Sequence, residues 1–528
     1  MKVATFQPRR GSVLFVALAT LSALTLIAAY TLQRVSPRFQ AAHQAAAWQE
    51  ARLAAEAGID AAMNDLLKHA TGSASGNWNG WTRANGEPAG SLLSDLLSPI
   101  TNILGSLLGG DGSSTPTVAV PEPIFLDNVS ISAGSGSLSE VDVQLWALQP
   151  NDSRRYFFRI RSMATCGLPP AAYRVSEKLD GPLRRLSLRR VREQLRKDDI
   201  GNPMTIPAPS ASRVVEVLVG PVLPFELAIW TDKSLSLGAT GTWGVDSYDS
   251  RDPLKSSSSG TYPGRNSPKV QENGHVASNL GRPPQSLYGP LISANGTRVR
   301  GIVATSGGDD PATSQRENVS GGIALDPARI RDNFFREMKR VVRPPSGAAW
   351  SAPEFGLPFV SGPDTEPTQY LVEGNLESFS IDARPSSSRR AIIIMVNGDL
   401  DISEPVTIPR NVTVVLYVRG NIQFRNYAIN TDTASSNRPA QLQIYGEGSG
   451  DQPRTLRAHG NAAICAAFYG PTYEVALSDS VDWCGAIAAR SFEMTGGGTG
   501  GLHYDEALST VGPPISFRIA RYIEDVRE

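Results

Sequence analysis

The sequence predicts a protein of the α+β class that is mainly β: a long N-terminal helix, a β domain behind it, and a right-handed parallel β-helix towards the C-terminus. Three observations carry this. An uncharged stretch over residues 12–32 runs straight into a segment rich in Ala, Leu, Gln and Glu. Glycine (49) and proline (38) are plentiful while charged residues make up only 19%, which suits turn-rich β structure better than a helical bundle. Finally, CAAFYGPTYEVALSDSVDW from Cys465 and CGAIAARSFEMTGGGTGGL from Cys484 align without a gap at nineteen residues.

Residues 1–11 form a basic leader with Lys2, Arg9 and Arg10 ahead of Gly11. The uncharged run that follows covers about 30 Å as a helix, the thickness of a hydrocarbon core. A cleaved secretory signal would have a shorter apolar region, about 7–15 residues, and a small-residue cleavage site. The basic flank places the N-terminus in the cytoplasm and the rest of the chain across the membrane. Beyond Pro37, which is expected to kink the join, Trp48, Leu53, Ala57, Met63 and Leu67 recur at helical intervals, so the helical segment is drawn as 12–70.

Residues 71–120 read as a Gly/Ser/Pro-rich linker, with one apolar run over 91–108 that Pro99 interrupts. Over 121–222, VDVQLWAL, RYFFRIRSM and RVVEVLVG alternate with the period of half-buried strands. The arginines at 184, 185, 189, 190, 192 and 196 between them read as a solvated face, since Glu193, Asp198 and Asp199 lie among them. With 50 basic and 51 acidic residues the chain has no global field for nucleic acid, and no nucleic-acid partner is expected.

The nineteen-residue repeat matches Cys465 with Cys484, Phe468 with Ile487, Tyr473 with Phe492 and Glu474 with Glu493. Looser echoes begin at Met395 (MVNGDL) and Tyr417 (YVRGNI), twenty-two apart. Short apolar runs with Gly/Asn corners at such periods are what stacked coils need, because one coil cannot bury its inner face alone. Residues 392–508 are therefore assigned to the solenoid and 223–325 to its first coils. Residues 326–391 hold a helix and an irregular insertion, with Ile330, Phe334, Met338 and Val341 on one helical face between Asp326-Pro327 and Pro344-Pro345. Residues 509–528 remain as a C-terminal tail.

The leader ending in RRG, the uncharged span and the helix WQEARLAAEAGIDAAMNDL resemble the prepilin-type N-terminus of PilX-type minor pilins and related pseudopilins. The region from about Phe225 to Leu508 also resembles solenoid-like regions attached to such N-termini, on VDSYDS, FYGPTYEVALS, GAIAARSF and GLHYDEAL. The resemblance implies a pilin-like fold for the β domain and cleavage by a prepilin peptidase after Gly11, leaving Ser12 as the new N-terminus. Major pilins begin with Phe and carry Glu at the fifth mature position. Ser12 and Val16 stand there instead, which favours a minor or filament-initiating role.

The expected function is that of a structural or adhesive minor pilin or pseudopilin, not an enzyme, and without a cofactor. It would be a single-pass protein of a bacterial inner membrane with its bulk in the periplasm or at the cell surface. Its partners would be membrane lipid, other pilin-like subunits and the peptidase, with surface polysaccharide a further candidate. The rival is a membrane-tethered carbohydrate-binding or carbohydrate-active β-helix, which needs converging groups such as Glu474, Glu493, His503 and Asp505 in one groove. Cys465 and Cys484, stacked in adjacent coils, are the candidate disulfide. Asp246, Asp249 and Asp252 are weak calcium candidates, although Asp is an ordinary turn former.

Overall fold

The computed structural model describes residues 11–70, 81–83, 124–132, 138–148, 157–167, 210–239, 243–280, 292–293, 297–306, 329–331, 333–343, 358–360, 368–382, 390–431, 438–448, 452–496 and 498–524. The leader before Gly11, the arginines at 184–196 and all of the 71–120 linker except 81–83 lie outside these residues.

Helix α1 (Gly11–Ala70) is 60 residues long and continues through Pro37. Its first half is exposed, with Leu21, Leu24, Leu26 and Leu32 all more than 60% accessible. Its second half packs on an antiparallel sheet built from β1 (Trp81–Arg83), β2 (Ile124–Ser132), β3 (Leu138–Leu148), β4 (Phe157–Gly167), β5 (Ser210–Val222) and the C-terminal strand Ser516–Glu524, in that order. Residues 516–524 are therefore not a tail: Ser516 pairs with Val222 and Glu524 with Val215, adding an edge strand to the sheet.

The sheet presents Val141, Val143, Leu145, Phe158, Ile160, Val215, Val217 and Val219 to the helix, as strand alternation requires. The helix answers with Ala54, Ala55, Ile59, Ala62 and Leu66. The amphipathic face was expected around Trp48 and Leu53, yet these are 50% and 63% accessible. Small residues won the buried stripe because they let the helix approach the strands closely. At Gly58 an added Cβ would overlap Ser162 Oγ and meet Val141 Cγ1 at 2.8 Å.

Among the described residues the second sheet holds 19 strands, and every pairing between them is parallel. Its layers are in register: Met395 lies against Tyr417, Tyr417 against Tyr445 and Tyr445 against Tyr469. One corner is a ladder in which Asn375 Oδ1 accepts from Asp399 N (2.9 Å) and Asp399 Oδ1 accepts from Asn421 N (2.7 Å). Beside it Gly374, Gly398 and Gly420 stack backbone on backbone, and a Cβ on Gly398 or Gly420 would collide with the glycine of the layer before. This explains the NGD and RGN echoes in the sequence.

Layer order is not chain order. From Val222 the chain lays down strands 229–231, 235–239 and 244–248, stacks 276–278, 292–293 and 298–299 on them, and pairs Val303 with Val276 and Ile330 with Val303. It then crosses to the opposite end and winds back through 368–372, 390–402, 412–429, 442–459, 463–478 and 482–505. The last strands dock on the first: Ile487 pairs with Ile229, Phe492 with Leu235 and Leu502 with Val245. One layer is thus composite, with Gly501–Asp505 from the end of the second segment and Ile229–Thr231 and Leu235–Ala239 from the start of the first.

The expected helix around 326–341 is not formed where the chain is described. Ile330–Arg331 is a short strand, and 333–343 is neither helix nor strand. Phe334, Met338 and Val341 do pack on the core, but in an extended chain whose outward residues include Phe335 (70% accessible) and Val342 (43%). A spacing of four satisfies both the helical and the two-residue period, so Ile330, Phe334 and Met338 could not distinguish them.

Candidate functional site

Two features stand out: the apolar half of α1, and a buried polar cluster at the composite layer. Phe15–Val35 is long and apolar enough to cross a membrane, and none of it is buried against the protein. Tyr30 near its end lies under the guanidinium of Arg34, 5.1 Å from the ring centroid. Gly11 and Ser12 sit in the first turn of α1 as described.

At the composite layer, parallel register brings Cys465, Cys484, His503 and Asp246 into one column across four layers. His503 is 2% exposed. Its Nδ1 lies 2.6 Å from Asp246 Oδ1 and its Nε2 lies 2.9 Å from Asp482 Oδ1. Tyr262 stacks on the imidazole at 3.7 Å and donates to Asp246 Oδ2 at 2.8 Å. Burial alone would lower the pKa of His503, but the hydrogen bonds to Asp246 and Asp482 and their charges push it up to about 9. His275 shows the opposite outcome. Burial, with Arg329 and Arg331 nearby, lowers it to about 4, and its Nδ1 accepts from Ile302 N at 2.9 Å.

Asp505 is fully buried and accepts from Ser250 N (3.0 Å) and Ala507 N (3.1 Å). Burial raises it to about 6 despite those donors. His503 and Asp505 leave the same strand, Gly501–Asp505, and both are committed to the layer formed by 244–250.

The other sequence candidates separate. Cys465 and Cys484 are in register, as the repeat required, but no disulfide joins them. Side chains in register on parallel strands project side by side rather than towards each other, and burial pushes the Cys465 thiol well above its ordinary range. Glu474 faces Ser491, and Glu493 faces Ala476, so the two carboxylates do not stack. An irregularity between Gly470 and Glu474 shifts the register by two, which a gapless alignment could not show. Asp249 forms a fork with Arg251 (2.8 and 2.9 Å), Asp252 caps Leu254 N (2.9 Å) and Asp246 holds His503. Among the described residues no group of three or more His, Cys, Asp or Glu side chains could hold a metal ion. The pairing of His503 with Asp246, 257 residues apart, had no signal in the sequence.

The fold defines a mainly β protein carried on one N-terminal helix that is long and apolar enough to span a membrane. Residues 363–511 match a family model described as a domain of unknown function (DUF7305). No curated protein matches the chain. Among solved structures, the competence-associated pilin ComZ from Thermus thermophilus aligns at a TM-score of 0.27 and 9% identity, over 83% of this chain and 96% of that one. That similarity is too slight to carry an argument about this chain.

Proposed function

We propose that this chain is a membrane-anchored, type IV pilin-like minor subunit or pseudopilin, and that its parallel stack is a right-handed β-helix displayed outside the cytoplasm. The observation that carries the reading is the helix: one unbroken α1 gives an exposed apolar half of membrane length and a second half roofed by an antiparallel sheet. Leaving a mainly apolar segment of 21 residues in water would be costly, and a bilayer or the interior of a filament removes that cost. In-register parallel layers with glycine corners support a β-helix, and the crossover preference of parallel strands supports a right hand.

A structural or adhesive role is favoured over hydrolysis. Both ring nitrogens of His503 are occupied by carboxylates, and Glu474 and Glu493 stand in different columns. The partners would be inner-membrane lipid, other pilin-like subunits and a prepilin peptidase. Mass spectrometry of the mature N-terminus, in cells with and without the peptidase, tests this. A chain starting at Ser12 only when the peptidase is present is the expected result, and an intact Met1 form in both would refute pilin-type processing.

A further inference from the structure

We infer that the parallel stack is built from two separately winding segments, 225–331 and 368–505, and that residues 333–343 are a latch that holds them together at the composite layer. Between the other described layers, successive strands in the chain stack on one another. At this join they do not, because residue 505 turns away to the antiparallel sheet and the partner layer begins after Val222.

The join is held by strand pairing and by side chains that reach across it. His503 bonds Asp246, Asp505 bonds Ser250 N, and Tyr504 Oη donates to Phe225 O at 2.9 Å. Glu506 Oε1 accepts from both Ser247 Oγ (3.0 Å) and Asn273 Nδ2 (2.8 Å), and Arg265 reaches Thr499 O at 2.8 Å.

The latch changes sides along its length. Phe334 N donates to Thr305 O (2.8 Å) and its ring meets Trp230 at 6.4 Å; Arg336 pairs with Glu226 (2.8 Å) and its backbone N donates to Asn279 Oδ1 (3.0 Å). All four partners belong to the first segment. From Lys339 onward the partners belong to the second: Lys339 O accepts from Tyr469 Oη (2.6 Å), and Arg343 pairs with Glu447 and reaches Asn397 Oδ1 at 3.2 Å. Four residues, 336–339, therefore span the plane at which the winding is interrupted. Contacts at low local stability open before the whole fold does.

Hydrogen exchange read by mass spectrometry on the full chain tests this. In the double variant Arg336→Ala/Arg343→Ala, strands 229–248 and 482–505 should exchange at least tenfold faster while 390–418 keeps its rate. In the unaltered chain under mild denaturant, 229–304 and 390–478 should exchange as two units with distinct midpoints. Equal acceleration across the stack, no change at the join, or one shared midpoint for both segments would each overturn the latch.

Discussion

The two sheets bury their strands differently, and their sequences differ accordingly. Strand β4 alternates along FFRIRSMATCG because only one of its faces meets α1. In the stack, AIIIMV (391–396) and VTVVLYV (Val412–Val418) are buried at every position. Their inner face fills the core, and the column of Met395 and Tyr417 continues through Tyr445 and Tyr469, where the outer face is covered: Phe225 packs 5.9 Å from Tyr445 and Tyr469 bonds Lys339 O. A continuous apolar run thus reports a strand covered on both sides, and an alternating one a strand covered on one.

The contrast can be broken first at its most tightly packed points. Phe468→Ala empties a fully buried site between layers and should cost the stack about 4 kcal/mol in a denaturant titration, with the helix-bound sheet affected less. Gly58→Leu should act the other way round. It forces a side chain into Ser162, Val141 and Val143 and should destabilise the antiparallel sheet by about 3 kcal/mol, read as accelerated exchange in β3 and β4.

The third test is pH. His503 is raised to about 9 in the fold from an ordinary 6.5, so its contribution is complete below pH 6.5 and is lost as pH rises through 9. Melting temperatures should fall across that window by the equivalent of up to about 3 kcal/mol, and His503→Gln should flatten the profile. The smallest effect is expected at the exposed pair Arg52 and Glu524, 3.6 Å apart between α1 and the C-terminal strand. Arg52→Ala should leave the melting temperature unchanged within error, because a solvated ion pair of this kind is offset by side-chain entropy and hydration.

The helix and the strand class were legible because each follows from a local period: the uncharged run marked α1, and the apolar alternation of VDVQLWAL and FFRIRSM marked β3 and β4. The register of Met395 with Tyr417 and of Cys465 with Cys484 was legible from repeat spacing. Three things were not. The buried face of α1 is defined by alanines, which carry almost no hydrophobic signal beside Trp48 and Leu53. The pairing of Ser516–Glu524 with β5 is long-range and leaves no trace in either segment alone. The polar cluster at His503 depends on which layers become neighbours, and that is set by a chain reversal rather than by any motif.

Val222 and Ser516 are paired side by side at the end of the antiparallel sheet, so the chain enters and leaves the stack through adjacent strands. A pull transmitted from α1 would reach the stack at its middle rather than at an end. The load would fall first on the bonds of Tyr504 to Phe225 and Asp505 to Ser250, and the outer layers would be drawn along without being unwound from their tips. Under a pull applied through α1, the centre of the stack is the load point and both ends are spared.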